Sequence, residues 1–111
     1  MMERDPYDMA ADAPGAKLDA GKNRVGLVFF GFSRALGEVG RVGTFGAEKY
    51  TDNGWERVPD GIRRYSDAML RHLLAEGRGE LVDQDSALLH AAHAAWNALA
   101  RLELMMREAE K

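Results

Sequence analysis

A chain of 111 residues is long enough for one domain with its own core and too short for a second catalytic domain. It contains no cysteine, which excludes disulfides, thiolate nucleophiles and cysteine-bound zinc, so any metal ion must be held by carboxylates or histidines. The 15 basic and 18 acidic residues give a formal net charge of -3, which lacks the excess of one sign that drives nonspecific binding to nucleic acid.

The composition of the N-terminal part of the chain predicts no export signal. Residues 1–22 have no long apolar stretch, and the longest apolar run, residues 26–32, is far too short to cross a bilayer. We therefore expect a soluble, cytoplasmic protein with no membrane partner. Because residues 1–22 show no sustained periodicity, we predict an extended or mobile arm there, followed by one domain over residues 23–111.

The first predicted helix covers residues 25–42, where the density of apolar side chains indicates an element buried on more than one side. Gly31, Gly37 and Gly40 weaken this prediction, and a strand beginning at Val25 is the competing interpretation. The next segment, residues 43–59, is rich in Gly, Thr, Asp and Asn and is predicted to be a loop.

Two further helices are predicted beyond this loop. The second covers residues 59–76, because proline and an acid suit its first turn and Gly77 supplies a stop. The third covers residues 85–108, where Asp85 and Ser86 are good caps and strong helix formers follow. Three helices with short connections predict an all-α antiparallel bundle, completed by oligomerisation.

The third helix carries a polar stripe on an otherwise apolar surface. His90, His93, Asn97 and Arg101 are spaced by three, four and four residues, which places them on one face of a helix. Buried polar groups without partners cost about 1 to 3 kcal/mol each, so this face requires either water or polar partners. A solvated surface face explains the spacing as well as a ligand site does.

Acidic residues gather just before the third helix. Glu80, Asp83 and Asp85 lie within six residues, and clustered carboxylates bind magnesium or manganese because these hard cations prefer oxygen ligands. Favourable charge at a helix N-terminus is the alternative explanation. Glu38 is the one acid in the apolar first helix, where a carboxylate is costly unless it is paired or bound to metal.

The second helix places Arg64, Asp67 and Arg71 on one face. They form either a surface salt-bridge ladder or a phosphate clamp in which Asp67 orients the arginines. The adjacent His72 projects about 100° around the helix from Arg71, which leaves its direction open.

The segment FGAEKYTDNGW in the predicted loop combines charge with aromatic rings. Lys49 could bind a phosphate, Asn53 could contact a base edge, and Trp55 or Tyr50 could stack on the base. Aromatic residues more often anchor a loop to the core, which is the alternative here.

Several of these segments taken together resemble a known family. The segments ALGEVGRVGTFGAEKY, NGW and YSDAMLRHLLAEGRGELVDQDSALLHAAHAAWNAL are similar to the phage and bacterial dATP/dGTP diphosphohydrolase family, which belongs among the MazG-like all-α nucleoside triphosphate pyrophosphatases. The resemblance spans about residues 27–104. It rests on the combination of GAxKY, NxW, AxxRH, GExxD and HxxH, which is more specific than any one of these motifs.

The resemblance implies a helical bundle whose acids bind two or three Mg²⁺ or Mn²⁺ ions around a purine deoxynucleoside triphosphate, dGTP or dATP. An activated water would attack a phosphorus atom and release the monophosphate and pyrophosphate. The residues implied as metal ligands are Glu38, Asp67, Glu80, Asp83 and, as a further candidate, Glu48; Glu80 and Asp83 are also the catalytic candidates. The implied phosphate contacts are Lys49 and Arg71, and the other implied pocket residues are Asn53, Trp55, His90, His93 and Asn97. By analogy, the reaction would serve phage nucleotide-pool control or the supply of modified purines.

The chain departs from the usual MazG signature, in which an EExxE helix precedes ExxD. Glu80 and Asp83 supply ExxD, but EExxE occurs nowhere in the chain. His90 and His93, or Asp67, could therefore fill positions that acids occupy in other proteins of this kind.

Two other function classes remain open at this point: a noncatalytic nucleotide-binding module built on the same bundle, and a structural helical adaptor. Because a three-helix unit with so apolar a first helix would expose a sizeable patch, we also expect a homodimer or homotetramer with that helix at the interface.

Overall fold

The computed structural model describes residues 2–111, and every element within that range is helical apart from two isolated β-bridges. The four α-helices and one 3-10 turn are α1 (Gly26–Phe29), α2 (Ser33–Lys49), the 3-10 turn (Gly54–Arg57), α3 (Gly61–Gly77) and α4 (His90–Ala109). The predicted all-α class is confirmed. None of these helices combines the length and the apolar character needed to cross a membrane.

The chain divides into two compact units between Gly31 and Phe32, and each is described by itself. In the first unit, the Asp5 carboxylate organises a series of turns by accepting backbone N–H groups at 2.8 to 3.2 Å. These donors belong to Tyr7, Met9 and Lys17. A bridge between Arg4 and Ala10 closes the same turns. One buried carboxylate therefore replaces an apolar core in this segment.

The single helix predicted over residues 25–42 is wrong in its bounds. The structure has one short turn of helix, α1, and Phe32 then leaves helical geometry at φ -112° and ψ 31° before α2 begins. At Gly31 a Cβ atom would lie 2.6 Å from the carbonyl oxygen of Leu27, so the backbone path there requires glycine. The competing strand at Val25 is absent from the described residues. The run is also not buried on several sides, since the side chains of residues 25–32 are exposed in the single chain.

The loop predicted over residues 43–59 is wrong in its first half, because α2 continues through Gly43 and Gly46 to Lys49. The apolar stripe of this helix packs on α4, with Val42 and Phe45 in one cluster with Ala92 and Trp96. At Gly43 a Cβ would lie 3.4 Å from the Trp96 indole nitrogen, so a small residue permits this close approach. Tertiary packing here outweighs the glycine penalty of about 1 kcal/mol per residue.

The second unit is built around α4, which packs against both α2 and α3. Its buried apolar residues are small or medium in size: Val42, Leu88, Ala92, Ala94 and Ala100. Larger rings close one end, where Trp96 meets Trp55 and Tyr65 edge to face at 6.1 and 5.6 Å between ring centroids. The Tyr65 hydroxyl donates to the Trp55 carbonyl oxygen at 3.0 Å, which fixes the 3-10 turn onto α3.

The bounds of α3 agree with the prediction to within two residues, whereas α4 begins at His90 and not at Asp85. Residues 83–89 form a tight turn instead. Ala87 has φ 61°, and the amide of His90 donates to the Leu81 carbonyl oxygen at 3.0 Å. This turn brings the acidic segment, which contains Glu80, Asp83 and Asp85, next to the first residue of α4.

Candidate functional site

All three histidines of the chain lie together where α3 meets the first turn of α4. The Nδ1 atoms of His72 and His90 are 2.8 Å apart. The rings of His72 and His93 are stacked, with centroids 4.5 Å apart and planes within 7° of parallel. Only 4% of His90 and 8% of His93 are exposed. The polar face of α4 is therefore buried against polar partners, and the solvated alternative is wrong.

Two carboxylates border this imidazole cluster. The Glu80 Oε2 atom lies 3.2 Å from His90 Nε2, and the Asp83 Oδ2 atom lies 3.6 Å from His93 Nε2. Both come from the segment between α3 and α4. The GE-x-x-D spacing thus brings each acid to a different histidine.

Ser86 links Asp83 to His93. Its hydroxyl contacts Asp83 Oδ2 at 2.8 Å and His93 Nε2 at 2.6 Å, and it accepts the Leu88 amide at 3.2 Å. A hydroxyl has one donor and two acceptor sites, so these contacts are all satisfied when Ser86 donates to Asp83 and His93 donates from Nε2. The Ser86 amide also donates to Asp83 at 2.9 Å.

Burial sets the electrostatics of the cluster. Desolvation lowers the pKa of His72 and of His93, and the nearby Asp83 carboxylate only partly opposes this. Burial alone would raise the pKa of Asp83, but the hydrogen bonds from Ser86 and the charge of the histidines outweigh it, so that pKa is lowered. A lowered pKa favours the neutral imidazole in His72 and His93 and the ionised carboxylate in Asp83, and these are the forms that bind metal ions.

His72, Asp83 and His90 each offer one ligand atom, and these three atoms lie within 4.8 Å of one another. They are drawn from α3, the intervening turn and α4. Two imidazole nitrogens and one carboxylate form a donor set that fits a divalent metal ion.

A shallow pocket of about 260 Å³ adjoins this cluster on the α2 side. Its lining residues are Arg41, Thr44, Phe45, Glu48, Ser86 and Leu88. Ser86 therefore belongs both to the pocket wall and to the cluster. Next to the pocket, Lys49 Nζ contacts Asp85 Oδ2 at 2.7 Å, and this contact raises the pKa of Lys49. The pocket thus has the Arg41 guanidinium and the Glu48 carboxylate on its walls and the ion pair of Lys49 and Asp85 next to it.

Two of the acids implied as ligands have ionic partners of their own. Glu38 is paired with Arg41 at 3.0 Å, which explains how a carboxylate is accommodated in α2. Asp67 is paired with Arg63 at 3.1 Å, and not with Arg64 or Arg71 as the clamp hypothesis required. No contact in residues 2–111 joins either acid to the imidazole cluster.

The remaining candidates have different surroundings. Arg71 is exposed on α3, and Asn53 is exposed with φ 56° before the 3-10 turn. The Trp55 ring packs against Trp96 and lies under the Arg107 guanidinium at 5.3 Å, which fits the anchoring alternative for this aromatic residue. Asn97 is buried and donates to the His93 carbonyl oxygen one turn earlier in α4.

The sequence analysis missed His72 and Ser86 as members of the cluster. His72 lies seven residues after Tyr65, so the period of the helix places it on the apolar face that carries Tyr65. That spacing was a signal from which the position of His72 could have been predicted. Ser86 was interpreted as a helix cap, and no sequence pattern indicated that it contacts a histidine.

Comparisons with known proteins agree on one family. The family described as "dATP/dGTP diphosphohydrolase, N-terminal" matches residues 12–111. The chain is 37% identical over 81 residues to a protein named dATP/dGTP diphosphohydrolase from Salmonella phage PMBT28, an alignment that covers 73% of this chain and 26% of the relative. The chain thus spans about a quarter of the length of that relative. No solved structure matches it.

Proposed function

Because the chain belongs to the dATP/dGTP diphosphohydrolase N-terminal family, we propose that it hydrolyses dGTP or dATP to the monophosphate and pyrophosphate with the aid of divalent metal ions. The observation that carries the proposal is the convergence of His72, Asp83, His90 and Glu80 beside a pocket with a guanidinium and a carboxylate on its walls.

The residues divide into groups that hold metal ions and groups that bind phosphate. Glu80 and Asp83 contact the imidazole cluster and Glu48 lines the pocket, and these carboxylates would hold Mg²⁺ or Mn²⁺. Lys49 lies next to the pocket and would bind the triphosphate tail. A bound divalent ion supplies charge neutralisation and activation of a water.

The protein groups then complete the hydrolysis. The oxygen of a water bonds to a phosphorus atom, the bond between the α and β phosphates breaks, and pyrophosphate leaves. The Glu80 carboxylate, 42% exposed, is accessible to accept the proton of the attacking water. Ser86 holds Asp83 in one orientation, which keeps its charge fixed at the site during the reaction.

The test is a panel of nucleoside triphosphates with Mg²⁺ or Mn²⁺, with monophosphate, diphosphate and pyrophosphate resolved. We expect pyrophosphate from dGTP or dATP only with a divalent ion, and at least a hundredfold loss of kcat in Glu80→Gln and Asp83→Asn, the general size of effect for an acid–base or electrostatic group. The matched control is Glu108→Gln, whose carboxylate lies on α4 but contacts Lys111 at the far end. Inorganic phosphate without pyrophosphate would refute the reaction. Tight metal-independent binding without product would favour a binding module, and no nucleotide affinity would favour an adaptor.

We also propose that the protein forms a homodimer or homotetramer. Phe29, Phe30 and Phe32 are 61%, 78% and 59% exposed in the single chain, which is unusual for a soluble monomer. The second unit carries an apolar groove of about 520 Å³ whose walls include Trp55 and Trp96. A second copy of the chain would cover such surfaces.

The cellular role follows from the same reaction. In a phage-infected cell the enzyme would act in the host cytoplasm to control the purine deoxynucleotide pool or to supply modified purines. Measured dGTP and dATP pools in cells that produce the protein, compared with cells that produce Asp83→Asn, test this role. Unchanged pools would contradict it.

A further inference from the structure

We propose that His72, His90 and Asp83 form a binding site for one first-row transition-metal ion, such as Co²⁺ or Zn²⁺, and that this site selects such ions over Mg²⁺. The idea that this ion takes part in catalysis rests on the proposed function. Binding of the ion to the three residues can be tested without any substrate.

The distances fit one shared ion. Metal–nitrogen and metal–oxygen bonds of about 2.0 to 2.2 Å place neighbouring ligand atoms about 3 to 3.5 Å apart. The two Nδ1 atoms are 2.8 Å apart, and the three ligand atoms lie within 4.8 Å of one another. Small side-chain adjustments therefore suffice to form the site, without movement of either helix.

The proton arrangement of His90 also fits. Glu80 accepts at 3.2 Å from His90 Nε2, so that nitrogen carries the hydrogen and His90 Nδ1 presents a lone pair that accepts from His72 Nδ1. A bound ion would take the place of the hydrogen between the two Nδ1 atoms. A carboxylate that accepts from the far nitrogen of a metal-bound imidazole is a recurrent feature of metal sites, because it fixes the tautomer and the ring direction. Glu80 is thus a positioning residue for His90 as well as a carboxylate close to the substrate.

Asp83, like His90, is oriented by a hydrogen-bonding neighbour, in this case Ser86. Ser86 uses Asp83 Oδ2 for both its hydroxyl and its amide contact, which leaves Oδ1 for a ligand. His93 stacks on His72 and restricts the rotation of that ring. Each of the three ligands is therefore held by a neighbour outside this set of three.

The donor set decides which ions are favoured. Mg²⁺ prefers an all-oxygen environment and gives up water reluctantly, whereas imidazole nitrogens suit Zn²⁺, Fe²⁺, Ni²⁺ and the neighbouring Co²⁺. With three protein ligands, coordination positions remain for water or a phosphate oxygen. Two histidines and one carboxylate thus indicate a transition-metal ion in a site that a carboxylate-only pattern would assign to Mg²⁺.

The test is titration of the metal-free protein with Co²⁺, followed by visible absorption and by isothermal calorimetry. The chain contains no cysteine, and its three histidines all lie in the cluster. A visible spectrum typical of imidazole-bound Co²⁺ would therefore come from an ion bound at this cluster. We expect one Co²⁺ per chain, displaced by Zn²⁺ and retained in excess Mg²⁺. Glu80→Gln should weaken binding by about 10- to 100-fold, the usual effect of losing such a partner, and His72→Ala should abolish it.

The controls keep the result decisive. Glu108→Gln should bind Co²⁺ as the unaltered protein does, and circular dichroism of each variant establishes that the helices are retained. Absence of a Co²⁺ spectrum in folded protein, displacement of Co²⁺ by Mg²⁺, or full binding by His72→Ala would overturn the inference. Pyrophosphate release with Mg²⁺ from a chain that binds no Co²⁺ would refute this site and leave the proposed function standing. Co²⁺ binding without hydrolysis of any triphosphate would refute the proposed function and leave the site standing.

Discussion

The Ser86 hydroxyl contacts both Asp83 and His93, so its removal tests the geometry of the site directly. In Ser86→Ala, Asp83 keeps the amide contact at 2.9 Å but loses the hydroxyl contact at 2.8 Å, and both His93 and the Leu88 amide lose a partner. A hydrogen bond to a charged group contributes about 1.5 to 3 kcal/mol when buried. Because 21% of the Asp83 side chain is exposed and water can replace part of the contact, we expect a loss of about 1 to 2 kcal/mol in the free energy of unfolding.

Urea denaturation followed by circular dichroism measures this loss, and the same variant should unfold roughly 4 to 16 °C lower in a thermal scan. Ser33→Ala is the matched control, because Ser33 is exposed at the start of α2, and we expect a change within about 0.5 kcal/mol. A double-mutant cycle with Asp83→Asn should show a coupling of about 1 kcal/mol between the two side chains. If Ser86→Ala behaves like Ser33→Ala, or if the cycle shows no coupling, the hydroxyl does not connect the acidic segment to the histidines.

Three further predictions concern other parts of the chain. Because backbone hydrogen bonds lower the pKa of Asp5, the order it gives to residues 4–17 should persist above the ordinary aspartate pKa of about 3.9 and be lost as the pH falls through the lower folded-state pKa. Amide NMR shifts across that range measure this, and Asp5→Asn should show the acid-state shifts at neutral pH; shifts that match those of the unaltered protein would contradict it. Lys49→Ala should change stability by less than about 1 kcal/mol, since its pair with Asp85 is exposed, while KM for the triphosphate rises; a KM unchanged from that of the unaltered protein would remove Lys49 from the site. Light scattering at micromolar concentration should give a dimeric or larger mass that Phe30→Asp reduces to that of one chain, and a monomeric mass for the unaltered protein would contradict the proposed assembly.

The helices that follow their own periodicity could be predicted, and those shaped by packing could not. For α3, a clear apolar stripe and a proline near its start fixed the bounds to within two residues. For α2, the Gly, Thr, Asp and Asn residues of segment 43–59 indicated a loop from Gly43 onward, because intrinsic propensity contains no information about the Trp96 ring that packs there. For α4, the caps at Asp85 and Ser86 were assigned to the helix, whereas Asp83 uses Ser86 to close a separate turn.

In the candidate site, too, the features set by local periodicity could be predicted and those set by packing between helices could not. The one-face spacing of His90 and His93 follows from helix geometry and could be predicted from the sequence alone. Their closeness to His72 depends on how α3 lies against α4, which no local pattern encodes. The ionic partners of Glu38 and Asp67 are arginines three and four residues away on the same helices. The ligand set implied by the resemblance therefore includes two carboxylates that already have ionic partners on their own helices.

The composition of the core strengthens the case that the histidine cluster has a function beyond stability. The buried apolar residues of the bundle are mostly alanine and valine or leucine, and no side chain among residues 2–111 is completely buried. A small core of this kind gains little from apolar burial, yet its central helix buries His90, His93 and Asn97. Polar groups in such positions cost free energy unless every one has a partner, and the described residues contain no buried side-chain nitrogen or oxygen without one. Apolar residues of similar size would stabilise the same helix pairing more simply, so stability alone does not account for a fully satisfied imidazole and carboxylate network at the α3–α4 junction, whereas the proposed metal-binding chemistry does.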